Sequence, residues 1–303
     1  MWGRGVLFRE ELLKSVRNHK RKWGADILDK RVSIIILNRN GFNHLKRCIP
    51  SIISATQCRD YEIIVVDNGS MDDSVKYLES LNMSNLRLIR NVENESFSVA
   101  NNKGAGIATG DYLVFLNNDA EPLEGWLEEM LFTMEEEACA GIVGSKLIYP
   151  DKGGTWVRSL MDRSWYKANS VQHAGVLFMP YQGYIKPYNV GKSMSPFAEE
   201  VNVQRDYPAV TAACMMIRKS TFIDTGGFDI QYVYGLEDVD LCLKVRKMGL
   251  RVIYCPFSTL YHYEFGSQKD DRDDVVRNRR MSNLKIFNEK WRDYLMKEAD
   301  IRI

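Results

Sequence analysis

No stretch of this chain stays apolar for the roughly 18 residues that a membrane-spanning helix needs, and Met1 to Gly5 do not begin the apolar core of a secretory leader. An excess of one charge is missing too: 41 Lys and Arg stand against 40 Asp and Glu, a net charge of +1. That balance removes the electrostatic case for nucleic acid as a partner. Paired cysteines are also absent. Cys48, Cys58, Cys139, Cys214, Cys242 and Cys255 are scattered, with no CxxC and no zinc-like spacing. Most lie among apolar neighbours, where a free thiol behaves as a small hydrophobe, so a reducing cytoplasm is the simplest expectation.

What is present is an ordinary globular composition, 45% hydrophobic and 27% charged over 303 residues, enough for a substantial core. The first 30 residues read as a helical extension. Phe8, Leu12, Leu13 and Val16 form a modest apolar stripe, followed by the basic cluster Arg17, Lys20, Arg21 and Lys22. Such a segment either rests peripherally on the inner face of an anionic membrane or packs on the domain with its basic face in solvent. Charge runs are usually solvated, which favours the second.

From Arg31 the pattern changes to α/β. Val32 to Leu37, Tyr61 to Val66, Leu86 to Ile89 and Tyr112 to Leu116 are short apolar runs, as expected of strands covered on both faces. Helix-like stretches (43–54, 72–81 and 98–109) alternate with them, which predicts a mostly parallel sheet with helices on both faces. Asn38-Arg39-Asn40-Gly41, Asp67-Asn68-Gly69-Ser70 and Asn117-Asn118-Asp119 follow three of these strands. Open α/β sheets bind ligands outside the carboxyl ends of their strands, so three polar clusters there point to a shared site. Ala100, Gly104 and Ala108 form a small-residue packing stripe, and Asn101 and Asn102 are expected to face the site. Residues 150–208 lose the rhythm and read as loops and short strands. Val210 to Ile217 and Arg251 to Tyr254 read as further strands, with helices over 237–248 and 273–290.

The stretch Glu237-Asp238-Val239-Asp240 concentrates acids at helical spacing. Asp238 shares a register with Leu241, Cys242 and Val245, the inward face; Asp240 aligns with Lys244 and Lys247, which predicts a solvated ion-paired face. A carboxylate on a buried stripe needs a reason. General base catalysis is one for Asp238; capping of the helix start is the reading for Glu237. Of the 4 histidines, His19 and His44 read as structural, His173 stays open, and His262 follows a strand-like run.

At these residues the chain resembles the family 2 inverting glycosyltransferases of the GT-A fold, and especially the bacterial rhamnosyltransferase type of O-antigen synthesis. Val32 to Gly41 resembles the family's first strand, with Arg39 where an aromatic is usual. Val65 to Ser70 resembles its nucleotide-binding turn, Asn94 to Gly104 its next motif with Ser96 in place of glycine, and Gly110 to Asp119 the strand leading to its metal-binding acid. Gln172-His173-Ala174-Gly175, Ala209 to Cys214, Gly226 to Asp229, Glu237 to Leu243 and Leu260-Tyr261-His262 resemble segments of the O-antigen subgroup.

The resemblance implies a Rossmann-like domain over 31–268, its first half (31–120) holding a nucleotide sugar and its second (121–268) facing the acceptor, then a C-terminal helical segment over 269–303. It implies Asp67 on the nucleobase, Asn38, Asn68, Asn102, Asn118 and Asp119 around the donor, and Mg2+ or Mn2+ on Asp119 and His262. Asp238 would be the base, and the acceptor a hydroxyl of a glycan or a polyprenyl-linked glycan. The alternative is a catalytically inactive nucleotide- or glycan-binding protein on the same fold, for which Asn117, Asn118 and Ser96 speak.

Overall fold

β-Branched residues fill the run after Arg31, and both faces of that run are covered. The computed structural model describes residues 8, 10–12, 14, 23–151, 156–158, 165–233, 235–264 and 273–298. In it, β1 spans Arg31–Asn38 and β2 Asp60–Asp67, followed by β3 Leu86–Arg90, β4 Tyr112–Asn117, β5 Ala120–Pro122 and β6 Ala140–Ile148. After these come β7 Trp156–Arg158, β8 Trp165–Lys167, β9 Val171–His173, β10 Val176–Tyr181 and β11 Tyr184–Asn189. β12 Arg205–Asp206, β13 Cys214–Arg218 and β14 Arg251–His262 complete the strands.

One sheet has the order β12-β14-β6-β13-β4-β1-β2-β3, with β5 added on β14 and β9 on β6. β3, β2, β1 and β4 are mutually parallel, and β6 and β14 are parallel to each other. β13 is antiparallel to both β4 and β6, so those two groups share one direction. Carboxyl ends from both halves of the chain therefore meet along a single edge of the sheet.

Alternation along each strand divides the core in two. Ile34, Ile36, Val65 and Val114 face the helices Phe42–Ala55 and Trp126–Glu136, where Ile49, Ile52 and Trp126 are fully buried. Ile35, Ile64, Val66 and Phe115 face the helices Phe97–Ile107, Glu237–Lys247 and Asp273–Lys297. Each fully buried Ile or Phe contributes about 1.5–3 kcal/mol of transfer free energy, so both layers are anchored through the central strands. The small-residue stripe is packing, as expected: a Cβ on Gly104 would lie 2.7 Å from Ile35 Cγ2 and 3.1 Å from Val66 Cγ2.

Three expectations change. The strand expected from Val210 begins only at Cys214; residues 210–213 turn instead, and their backbone amides become available to the site. Arg251 to Tyr254 is one part of a 12-residue strand reaching His262, with a register shift between Cys255 and Thr259 that joins two apolar runs. The helix Trp126–Glu136 and strand β6 were not foreseen, although every residue of β6 is buried. The last helix extends to Lys297 and places Phe287, Trp291 and Leu295 in the second core. In the N-terminal extension Leu12 is buried with Leu123, Ile148 and Tyr261, and Phe8 meets the ring of Phe197 at 5.6 Å. Those two apolar side chains thus face the domain. Leu13, Val16, His19 and the basic cluster at 17–22 lie outside the described residues.

Candidate active site

Because β1, β2 and β4 are parallel and in register, Asn38 stands beside Asp67, and Leu37 beside Asn117. Asn38 and Asp67 are almost wholly buried, and buried polar groups at a strand end must find partners. They find each other. Asn38 Nδ2 donates to Asp67 Oδ1 at 3.0 Å, and Asn38 Oδ1 accepts from Asn118 Nδ2 at 2.7 Å. Ser70 donates its hydroxyl to Asp67 Oδ1 at 2.6 Å and its backbone N–H to Oδ2 at 2.9 Å. Asn40, in the left-handed region at φ 47°, ties the two loops by accepting from Met71 N at 2.7 Å. This amide–carboxylate chain fixes the turn after β2 against the end of β1.

Gly41 is required by that chain. A Cβ there would stand 2.3 Å from both Asn118 Nδ2 and Asn38 Oδ1. Gly41→Ala is expected to destabilise the protein by about 1–3 kcal/mol, the usual range for overpacking. A urea midpoint equal to wild type would show that the chain of amides shifts without cost.

Asn68 and Asn102 sit one layer further out. Asn68 donates to Glu95 O at 2.9 Å and accepts from Asn91 Nδ2 at 2.8 Å, which fastens the loop after β3. Asn102 Nδ2 donates to Phe228 O at 2.8 Å while its Oδ1 accepts from Phe228 N at 3.0 Å. That pair of bonds clamps the Gly226–Asp229 segment to the first half of the domain. Asn101 does not reach the site: its amide returns to Phe97 O at 2.9 Å within its own helix. Ser96, where the resemblance led us to expect glycine, caps that helix by accepting from Val99 N at 3.3 Å.

The second cluster forms where β14 ends beside β5. Register pairs His262 with Ala120, and Tyr263 N donates to Asp119 O at 3.0 Å. His262 Nε2 thereby lies 3.2 Å from Asp119 Oδ1 and 3.1 Å from Asn117 Nδ2, and His262 Nδ1 lies 2.7 Å from Gln172 Oε1. Neighbouring ligand atoms on a divalent cation with bonds near 2.1 Å at right angles stand about 3 Å apart. The Asp119–His262 separation fits that geometry. Among the described residues no group of three or more His, Cys, Asp and Glu gathers around a point. Two protein ligands would leave the remaining positions of such a cation to other oxygen donors. His173 is a different case. It is fully buried, bonded to Asn189 at 3.0 Å, and burial pushes its ring down to about 4.

Asp238 reaches the same edge through the turn at 210–213. Its Oδ2 accepts from Ala212 N at 3.1 Å and its Oδ1 from Val239 N at 2.8 Å, while Ala213 O accepts from Asn117 N at 3.1 Å. Short links thus run from Asp238 to Asn117 and on to His262 and Asp119. Burial holds the Asp238 carboxyl above its ordinary value, overriding the lowering by hydrogen bonds from Ala212, Val239 and Thr211. Glu237 is buried beside it and is likewise raised, by burial first and by the Asp238 charge second. Desolvation therefore outweighs the hydrogen bonds that would lower both.

Asp240 corrects the expectation of a solvated face. Its ion pair with Lys244 forms at 3.2 Å, as the spacing predicts, but the carboxylate has no exposure. The C-terminal helix lies over it and supplies Lys290 Nζ at 2.6 Å and Trp291 Nε1 at 2.7 Å, and Tyr232 adds its hydroxyl at 3.3 Å. Tyr166 is a packing anchor: its ring stacks on Tyr149 at 5.1 Å and 10°.

Comparison with known proteins gives the following. The sequence profile described as glycosyl transferase family 2 matches residues 33–224, and a second, described as N-terminal domain of galactosyltransferase, matches 192–266. The O-antigen biosynthesis protein RfbC of Myxococcus xanthus is 29% identical over 250 residues, 80% of this chain and 18% of that protein. The N-acetylglucosaminyl-diphospho-decaprenol L-rhamnosyltransferase of Mycobacterium tuberculosis is 25% identical over 239 residues, covering 75% of this chain and 74% of the relative. A crystal structure of GalNAc-T7 with UDP, GalNAc and Mn2+ superposes with a TM-score of 0.56 at 16% identity, over 90% of this chain and 58% of that one. The chain thus spans less than a fifth of the Myxococcus relative and somewhat over half of GalNAc-T7.

Proposed function

The chain belongs to glycosyl transferase family 2 and has the GT-A fold, and from that premise we propose that it transfers a sugar, with inversion, from a nucleoside diphosphate donor to a hydroxyl of a glycan or polyprenyl-linked glycan in surface polysaccharide synthesis. The observation that carries this reading is the meeting of three groups at one sheet edge. They are the Asp67–Asn38–Asn118 chain, the Asp119–His262 pair, and the raised carboxyl of Asp238.

In this reading Asp67 and Asn38 hold the nucleoside end of the donor, on amides whose orientation is already fixed. Asn68 and Asn102 keep the surrounding loops in place. Asp119 and His262 would hold Mg2+ or Mn2+, which when bound neutralises charge on the departing diphosphate. Asp238 accepts the proton of the acceptor hydroxyl as its oxygen attacks the anomeric carbon from the face opposite the diphosphate. Its ordinary weakness as a base is reduced by burial, which is the usual way a carboxylate is tuned for this role. The hydroxyl proton ends on Asp238 Oδ, and the diphosphate leaves with the electron pair of the glycosidic bond.

The rhamnosyltransferase and O-antigen names among the relatives favour a bacterial surface glycan, and the decaprenol relative favours a lipid-linked acceptor. No helix among the described residues is long and apolar enough to cross a membrane. Ser96, Asn117 and Asn118, the residues that speak for an inactive protein, hydrogen-bond to Val99 N, His262 and Asn38.

A donor screen tests the proposal. The purified chain with Mn2+ is expected to release nucleoside diphosphate slowly from one of the UDP-, dTDP- or GDP-sugars without acceptor. Silence across all three, with and without lipid-linked glycan acceptors, would instead indicate a binding protein.

A further inference from the structure

We propose that Gln172 is a positioning residue that fixes the tautomer of His262 and so turns the Nε2 lone pair toward Asp119. The inference rests on reading Asp119 and His262 as metal ligands. The oxygen of an amide can only accept, so the 2.7 Å contact between Gln172 Oε1 and His262 Nδ1 requires the ring proton on Nδ1. In a neutral ring Nε2 then carries the lone pair, on the side where Asp119 Oδ1 stands at 3.2 Å and Asn117 Nδ2 donates at 3.1 Å. The opposite tautomer would gain an Nε2–H donor toward Asp119 Oδ1, but it would aim a lone pair at the Gln172 oxygen and an N–H at Asn117 Nδ2, two repulsive contacts against one favourable one in a buried place. Gln172 and His262 are 4% and 7% exposed, so water offers little compensation to either.

Strand geometry explains why this glutamine is in position. β9 pairs antiparallel with β6, with a register shift at Gln172: Leu147 faces His173 and Ile148 faces Val171. At that irregularity Gln172 turns toward His262 while His173, its neighbour, turns to Asn189. A neutral amide does this without adding another negative charge beside Asp119. Groups that orient a ligating imidazole through its other nitrogen are worth about 10–100-fold in metal affinity.

Two measurements on the full chain test the proposal. The first is the tautomer itself, read from the ring 15N shifts of His262 in metal-free protein. A proton on Nδ1 is expected; a proton on Nε2 overturns the proposal whatever the variants do. The second is Mn2+ affinity in the presence of UDP, GDP or dTDP, followed by electron paramagnetic resonance. Gln172→Leu is expected to weaken Mn2+ binding by about 10–100-fold, and Gln172→Glu, which keeps an acceptor at Nδ1, to retain it. Equal affinity in wild type and Gln172→Leu overturns the positioning role. If Gln172→Leu does not fold, loss of Mn2+ binding by Gln172→Glu overturns it equally. Wild-type protein that binds no Mn2+ with any of the nucleotides, yet carries the proton on Nδ1, removes the metal reading and leaves the tautomer assignment standing.

Discussion

Asp238→Asn is expected to lower kcat by about 10²–10⁴-fold, the range that general base catalysis supplies, and to leave donor affinity unchanged. The substitution keeps the size of the side chain and one of the two acceptor oxygens that serve Ala212 N and Val239 N, but removes the capacity to take a proton. Donor contacts in our reading lie on Asp67, Asn38 and Asn118, which reach Asp238 only through intervening residues. A loss divided between kcat and donor binding would mean that Asp238 holds the substrate and has no role as a base. Wild-type turnover in the variant would remove it from the mechanism.

The same carboxyl predicts a pH dependence with a definite sign. Burial raises its pKa above the ordinary aspartate value, and only the ionised form accepts a proton. kcat is therefore expected to rise with pH through that raised pKa and to level off above it. The acid limb should lie above the value of about 3.9 found for a solvated aspartate and should vanish from the residual activity of Asp238→Asn. A limb at the ordinary position would show that the base is exposed or is a different residue.

Asp240→Ala is expected to be the most damaging change to stability, at about 3–5 kcal/mol, the cost of removing one partner from a buried ionic cluster. It would leave Lys290, Lys244 and Trp291 Nε1 without the group toward which all three converge. Denaturant unfolding gives the measurement. Trp291→Phe removes one bond from the same carboxylate while keeping an aromatic ring in place, so it should cost about 1.5–3 kcal/mol, the worth of a hydrogen bond to a charged group. Similar small losses for both variants would show that the lysines find solvent without Asp240. The cluster also has a functional consequence, since it joins the C-terminal helix to the helix that carries Asp238 two residues away.

Much of the architecture could be read from the chain. The apolar runs at 32–37, 61–66, 86–89 and 112–116 became β1 to β4 within a residue or two; β1, β2 and β4 are largely buried on both faces, whereas β3, expected to be covered likewise, is a partly exposed edge strand. The polar residues after those strands fell into one network because parallel strands in register put their carboxyl ends side by side. Less legible was everything that depends on antiparallel partners arriving from far along the chain. β13 starts at Cys214 because residues 210–213 turn to meet Asp238, and no local pattern announces that turn. The contact of Gln172 with His262 is likewise not legible locally, because β9 pairs with β6 through a register shift at that residue.

Asp240 marks the division most clearly. Helical periodicity alone determined that it aligns with Lys244, and the ion pair forms. Periodicity also determined that Asp238 lies on the side of Leu241, Cys242 and Val245. Both follow from the 3.6-residue repeat of a helix and need nothing beyond the helix itself. Whether the second face meets water was decided by a helix some 50 residues later, which covers Asp240 with Lys290 and Trp291. Local sequence sets which side chains share a face; only the packed chain sets what lies against that face, because burial depends on distant segments that close over it.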